Sequence, residues 1–177
     1  MIVVDTHVLA YLFIYGLHTP SAEALLVKEP QWMVLTLWRS EFRNILAGYV
    51  RRGDISFDVA YKILREAESL LAGNEYEADS LHVLQLVRES GCTACDCEFK
   101  AVAMKLNVKL VTMDKALLKG FPKLAVRLNS LSFASHHLTG ARKNARSDVF
   151  NVFKASRLFR HRPDPHHRIK VELVVPR

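Results

Sequence analysis

Short apolar runs alternate with amphipathic helical segments along the first 131 residues of this chain. The β-branched run at residues 2–4 is typical of a buried strand, and residues 32–35, 108–112 and 125–128 have a similar character. Strands separated by helices return to the same edge of a sheet before they pair, so they pair in parallel. The alternation therefore predicts an α/β fold, a three-layer α/β/α sandwich with a mostly parallel central sheet.

The helices between these strands are marked by apolar positions at helical spacing and by residues that favour helix ends. They are expected over residues 6–14, 19–29, 36–52, 56–71, 79–91, 94–106 and 114–119. Thr19, which precedes Pro20, and Thr36 are expected to cap the helices that follow them. Gly53 follows the end of one helix, as glycines commonly do.

The positive charge of the chain is confined to its C-terminal part. Residues 1–131 contain 15 basic and 15 acidic side chains, whereas residues 132–177 contain 10 basic and three acidic ones. The formal net charge of +7 therefore belongs to the second segment alone. We expect a neutral globular domain over residues 1–131, followed by a basic tail over residues 132–177.

Three hypotheses account for this basic tail. It could bind RNA, because Lys154, Arg157 and Arg160 are three residues apart and have phenylalanines nearby. It could mediate protein contacts, or it could be a disordered or spurious extension of the domain. Residues 147–160 have a helical pattern, and residues 169–175 alternate weakly like a strand.

Several classes of protein are excluded by simple features of the sequence. The longest apolar run, residues 8–17, is too short to span a bilayer, and no basic segment precedes it as in a signal peptide. Three cysteines are too few for a secreted disulfide scaffold. We therefore expect a cytoplasmic protein with no membrane association. No glycine-rich phosphate loop and no deaminase-type zinc motif is present in the sequence.

The cysteines Cys92, Cys95 and Cys97 are closely spaced, and His82 is the nearest candidate for a fourth zinc ligand. No second ligand pair stands at a suitable spacing, so small side chains packed around a helix start are the favoured interpretation.

Four acidic residues fall where a parallel α/β sheet places its ligands, at the carboxyl ends of the strands. Asp5 directly follows the first strand, and Asp114 follows the strand that ends at Thr112. Glu41 lies early in the helix after the second strand, and Asp96 lies in the first turn of the helix that leads into the third of these strands. The topology therefore predicts that these four carboxylates converge at one edge of the sheet.

Four neighbouring carboxylates repel one another unless a cation lies between them. Mg²⁺ or Mn²⁺ is the natural choice for oxygen ligands, and such a site promotes hydrolysis of phosphodiester bonds. Asp5 or Asp114 taken alone is more simply interpreted as a helix cap, so the hypothesis depends on all four acids together. Glu98, two residues after Asp96, should point to a different helix face and be solvated or lie behind the acids.

The segments that contain the four acids resemble the motifs of PIN domains, especially those of VapC-type ribonuclease toxins. The similar segments are residues 2–9 (IVVDTHVL), 38–46 (WRSEFRNIL), 95–99 (CDCEF) and 110–114 (LVTMD). The resemblance covers residues 1–131. It implies a Mg²⁺- or Mn²⁺-dependent RNA endonuclease, usually a homodimer held by a cognate antitoxin protein. In that family the positions of Asp5, Glu41, Asp96 and Asp114 bind the metal, and a hydroxyl such as that of Thr112 supports the last acid.

One position departs from the family pattern. PIN domains usually have asparagine two residues after the first aspartate, where this sequence has His7. His7 could hydrogen-bond the acid beside it, bind a softer metal or perturb the site, and we count it with Thr6 among the supporting residues. Two alternatives to the nuclease therefore stay open: a catalytically silent PIN-like binding module, and an RNA-binding protein that acts through its basic tail.

Overall fold

The computed structural model describes residues 1–130, which form a central sheet with helices on both faces. The elements in chain order are β1 (Ile2–Val4), α1 (Thr6–Phe13), α2 (Thr19–Lys28), β2 (Trp32–Leu35), α3 (Trp38–Arg52), α4 (Phe57–Leu70), β3 (Glu75–Tyr76), α5 (Ser80–Ser90), α6 (Ala94–Leu106), β4 (Leu110–Thr112), α7 (Lys115–Gly120) and β5 (Ala125–Arg127). A short 3₁₀ turn at Leu128–Ser130 follows β5.

The five strands pair in parallel in the order β3-β2-β1-β4-β5. Val3 of β1 is in register with Met33 on one side and Leu110 on the other. The chain therefore extends the sheet from β1 in one direction, and then returns to extend it in the other direction from β4. The strand order reverses between β1 and β4. Open α/β sheets bind ligands in the crevice outside the carboxyl edge at such a point.

Alternate side chains of each strand pack into two separate apolar cores, one on each face of the sheet. Val4, Val34 and Val111 belong to the first core, which α1 to α4 cover, while Val3 and Leu110 belong to the second, which α5 to α7 cover. Because both faces are covered, the central strands β1 and β2 are continuous apolar runs and lack a polar face. The predicted α/β/α sandwich is confirmed.

The structure differs from the predictions mainly at helix starts. The first residue of α2 is Thr19, which does not cap the helix, because its hydroxyl donates to the carbonyl of Ile14 and accepts from the amide of Gly16. Thr36 likewise makes no capping hydrogen bond, and α3 begins after Leu37. In both places the tight turn before the helix satisfies backbone groups that a capping side chain would otherwise bind.

The sequence pattern also missed β3, the edge strand at Glu75–Tyr76. It has two residues, it is half-buried and it contains no apolar run, so its periodicity carries no strand signal. Its place in the sheet follows from parallel pairing with β2, in which Leu35 is in register with Tyr76. The strand predicted from residue 108 begins instead at Leu110.

The predicted helix over residues 147–160 and the predicted strand over residues 169–175 lie outside the described residues. The domain boundary at residue 131 also stays a prediction. Within residues 1–130, no helix is both long enough and apolar enough to cross a membrane.

Phe42 should be one of the residues on which folding depends most. Its side chain is fully buried, and its ring packs against those of Phe13 and Trp38 at centroid distances of 6.2 and 5.8 Å. We expect Phe42→Ala to lower the free energy of unfolding by about 3–5 kcal/mol, because the cavity cannot collapse fully. Urea denaturation followed by circular dichroism measures the change.

The matched control is Phe57→Ala, which removes the same atoms from a side chain that is 72% exposed. Phe57 stacks on Tyr61, so its loss should cost at most about 1 kcal/mol. Equal costs for the two variants would contradict the assignment of Phe42 to the core.

Candidate functional site

Asp5 lies at the carboxyl end of β1, where the strand order reverses. Its side chain is almost fully buried, and its Oδ1 accepts a hydrogen bond of 2.8 Å from the amide of Val8, so that it caps α1. Its Oδ2 accepts a hydrogen bond from the hydroxyl of Thr112, the last residue of β4. The backbone amide of Asp5 also donates to the carbonyl of Val111. Asp5 is therefore fixed to both strands that border the crevice.

Asp114 is held next to this pair by the same threonine. The hydroxyl oxygen of Thr112 accepts a hydrogen bond of 2.9 Å from the amide of Asp114. Oδ1 of Asp114 then caps α7 by accepting from the amides of Ala116 at 2.6 Å and Leu117 at 3.1 Å. Its Oδ2 accepts no hydrogen bond from residues 1–130, so one oxygen of this carboxylate is free for another ligand.

Glu41 approaches the site from the first turn of α3. It is half-buried, and its Oε2 accepts a hydrogen bond from the hydroxyl of Thr6, which is itself buried at the start of α1. This contact joins two segments that are 35 residues apart in the chain. Thr6 thus positions Glu41 as Thr112 positions Asp5, and the supporting role of both threonines stays a prediction.

Asp96 lies in the first turn of α6, where the hydroxyl of Thr93 accepts a hydrogen bond of 3.2 Å from its amide. Its carboxylate is partly exposed. Burial is the main cause that raises the pKa of the neighbouring Cys95 thiol, and the charges of Glu98, Glu41 and Asp96 add to it in that order. The start of α6 therefore lies within electrostatic range of Glu41, and the convergence of Asp96 with the other acids stays a prediction.

Glu98 lies near enough to Glu41 to act on it electrostatically, which agrees with the expected place behind the acids. Its charge is one of the influences that raise the pKa of Glu41. Helical spacing relates Glu98 to Asp96 alone, and it cannot show that Glu98 comes within electrostatic range of Glu41 on another helix. Glu98 and Cys95 therefore lie within electrostatic range of Glu41. The four predicted acids, Asp5, Glu41, Asp96 and Asp114, are called the acidic site below.

The electrostatics of the site show an excess of negative charge. Burial is the main cause that raises the pKa of Asp5, and the charge of Asp114 adds a smaller increase. The hydrogen bonds from Thr112 and Val8 and the charge of His7 lower the same pKa, but they do not outweigh burial. Burial also raises the pKa of Glu41, with smaller contributions from Asp5 and Glu98. His7 is the basic residue that acts on both carboxyl groups, and it favours their charged form. A bound cation would act in the same direction with greater charge.

The chemistry of the donor set fits a hard divalent cation, because the converging groups are carboxylates and hydroxyls. Their geometry is looser than that of an assembled site. Within residues 1–130, no three histidine, cysteine, aspartate or glutamate side chains are close enough together to hold a metal ion. Side chains at the rim would therefore have to turn towards Asp5 for an ion to be shared.

The cysteine cluster forms no zinc site with His82 in the described part of the chain. Cys97 is buried, Cys92 is half-buried and Cys95 is exposed. Because the three cysteines differ so much in exposure, they are better interpreted as small side chains packed around the start of α6 than as ligands of one metal ion. The sulfur of Cys97 lies 3.5 Å from the hydroxyl oxygen of Ser90, which packs the end of α5 against α6.

Comparison with known proteins defines the class to which this fold and acidic edge belong. The PIN domain family model matches residues 2–123, so the chain belongs to the PIN domain family. The resemblance seen in the motifs is thereby confirmed, including its VapC-type character, which the individual relatives support.

One ribonuclease and two solved structures are similar to this chain over most of its described residues. Ribonuclease VapC3 of Pyrobaculum aerophilum is 29% identical over 126 residues, which cover 70% of this chain and 96% of that protein. The crystal structure of PAE2754 from Pyrobaculum aerophilum is similar with a TM-score of 0.59 and 26% identity, covering 73% of this chain and 84% of that one. A toxin–antitoxin complex from Klebsiella pneumoniae matches with a TM-score of 0.52 at 18% identity, over 72% of this chain and 98% of that one. At that identity the last likeness shows the fold alone.

The raised pKa of Asp5 predicts a specific dependence of stability on pH. An acid whose pKa is higher in the folded than in the unfolded state binds its proton more tightly when folded. Its contribution to stability is therefore complete below the ordinary value of 3.8, and it is lost as the pH rises through the folded pKa. Asp5→Asn removes this loss, so the variant should gain stability relative to the unsubstituted protein as the pH rises from 4 to 7.

Urea denaturation in EDTA at several pH values measures this difference. Asp58→Asn is the control, because Asp58 is exposed on α4. A relative stability of Asp5→Asn that falls with pH would mean that Asp5 is stabilised as an anion by its hydrogen bonds, contrary to the prediction.

Proposed function

We propose that this protein is a metal-dependent endoribonuclease of the VapC type, with Asp5, Glu41, Asp96 and Asp114 as its catalytic and metal-binding acids. The observation that carries the proposal is the buried Asp5, which is hydrogen-bonded to Thr112 across the crevice and flanked by Asp114 and Glu41. Such an arrangement of buried acids costs free energy of folding, which suggests that it is kept for chemistry. The 29% identity to a ribonuclease supports the same activity.

Each residue has a distinct part in this mechanism. Mg²⁺ or Mn²⁺ bound by the acids would supply a polarised water and neutralise charge on the phosphate. Thr112 and the amide of Val8 keep Asp5 oriented towards the crevice, and Thr6 restrains Glu41. The free Oδ2 of Asp114 and the partly exposed Asp96 are the groups able to turn inward from the rim. His7 offsets part of the negative charge while the acids have no cation between them.

An RNA-cleavage assay tests the proposal. With Mn²⁺ supplied, Asp5→Asn and Asp96→Asn should each lower the rate by at least about 100-fold, because each removes a charged ligand. Asp58→Asn, which removes a carboxylate from exposed α4, should leave the rate unchanged. Cleavage retained by both site variants, or cleavage that persists in EDTA, would overturn the assignment.

The partners that we propose follow from the same relatives. The substrate is RNA, and the fold likeness to one member of a toxin–antitoxin complex makes a cognate antitoxin the expected protein partner. We also propose a homodimer in the cytoplasm. Light scattering of the purified protein would test the dimer, and a small gene beside this one whose product copurifies with it would identify the antitoxin.

A catalytically silent PIN-like module is the second candidate. The observation that favours it is that no three potential ligands in residues 1–130 converge tightly enough to hold an ion. Calorimetric titration with Mn²⁺ separates the two candidates. Saturable binding that Asp5→Asn abolishes supports the nuclease, whereas absence of binding supports the silent module.

A further inference from the structure

The neutral domain conceals a strong separation of charge along the chain. Residues 99–127 contain seven basic side chains and one acidic side chain, Asp114, whereas residues 1–98 contain eight basic and 14 acidic ones. The seven basic residues are Lys100, Lys105, Lys109, Lys115, Lys119, Lys123 and Arg127. They belong to α6, α7, β5 and the connections between them, so the positive charge lies on one flank of the sheet.

These cations are not used to stabilise the fold through ion pairs. The ion pairs within residues 1–130 include those of the N-terminus, Arg39, Arg52 and Arg65, and none of them involves the seven cations of the flank. Six of the seven are exposed, and Lys100 is partly exposed. Like charges gathered on one flank without partners repel one another, which favours binding of an anionic ligand there.

A groove on this flank brings two of the lysines together over an apolar floor. It has a volume of about 460 Å³ and is lined by Lys100, Met104, Phe121, Pro122 and Lys123, with Gly120 and Leu124. The ammonium group of Lys100 lies 4.7 Å from the ring centroid of Phe121. The ammonium group of Lys109 donates a hydrogen bond of 2.8 Å to the carbonyl of Lys123, which adds a third positive charge beside the groove.

Helix α6 connects the groove to the acidic site, because it contains both Asp96 and two of the residues that line the groove. Asp96, Lys100 and Met104 are four residues apart, so they lie along one face of that helix, with about 6 Å of rise between successive members. On the sheet side, Arg127 of β5 is in register with Thr112, which contacts Asp5. A single extended ligand can therefore reach from the carboxylates to the lysines without leaving this flank.

We propose that the groove between α6 and the α7–β5 connection binds the RNA strand next to the phosphate that is cleaved. This inference rests on the proposed ribonuclease function, and it names where the substrate lies. Lys100 and Lys123 contact successive phosphates, while Met104 and Pro122 offer an apolar surface to a ribose or base.

Charge favours RNA over two other possible ligands of the groove. The chain's own C-terminal segment carries the net charge of +7 and would be repelled by the lysines. An acidic protein segment would match the lysines but would be repelled by the carboxylates at the Asp96 end. RNA supplies negative phosphates to the lysines, and in the proposed mechanism a divalent cation neutralises its contact with the acids.

Binding of a single-stranded oligouridylate of about 12 nucleotides, measured by fluorescence anisotropy in EDTA, tests the groove apart from catalysis. The variant K100Q/K123Q should bind about tenfold more weakly than the full-length protein without substitutions, as expected for two lost phosphate contacts. The slope of log binding constant against log salt concentration should fall by about 1.4, because each single-strand phosphate contact contributes about 0.7.

The matched control is K62Q/R88Q, which removes the same charge from exposed positions on α4 and α5. The control should keep at least half of the affinity and the full salt slope. Equal RNA binding by the two double variants would contradict the proposal that the groove binds RNA. Lysine-dependent binding of polyglutamate that is tighter than that of the RNA would also overturn it, in favour of an acidic protein partner.

A cleavage assay with Mn²⁺ on the same proteins separates this inference from the proposed function. If the protein cleaves RNA, and K100Q/K123Q cleaves and binds RNA like the control, the proposed RNA-binding groove is wrong and the proposed ribonuclease activity is supported. If RNA binding depends on Lys100 and Lys123 but no cleavage occurs, the groove stands and the ribonuclease is wrong.

Discussion

The hydrogen bond between Thr112 and the buried carboxylate of Asp5 joins the two strands between which the strand order reverses. It requires β1 and β4 to be neighbours, although 107 residues separate the two side chains. That adjacency exists because β2 and β3 extend the sheet on one side of β1, which leaves the other side free for β4. The acidic site therefore depends on a property of the whole topology, and the crevice cannot form until the chain has returned to β1 from α6.

Helix capping and the candidate chemistry are combined in the same side chains. The sequence alone gave two interpretations of Asp5 and Asp114, as caps or as metal ligands, and the structure shows both residues capping helices with Oδ1. Capping restricts where each carboxylate can lie, and it leaves Oδ2 of Asp5 for Thr112 and Oδ2 of Asp114 without a hydrogen bond from residues 1–130. The two interpretations are therefore compatible, since the cap orients a carboxylate that remains able to bind a ligand.

The predictable features were those that depend on local chemistry. The β-branched run at Ile2–Val4, the apolar helix positions and Gly53 correctly placed most elements, because burial and backbone sterics act within one turn or strand. Thr19 and Thr36 failed as caps because their turns bind the backbone differently. The strand Glu75–Tyr76 was missed because its place depends on pairing with β2. The electrostatic influence of Glu98 on Glu41 could not be predicted, because the two residues are distant in sequence.

The sequence by itself determined the α/β/α class, the four motifs and the total charge of each part of the chain, since all of these follow from residue order and composition. The tertiary structure alone decided which side chains meet. It placed Thr6 against Glu41 and Thr112 against Asp5, and it gathered the lysines of α6 and the α7–β5 connection around one groove. A domain that is neutral by composition thus has an acidic crevice and a basic flank, because parallel strands bring distant segments to a common edge.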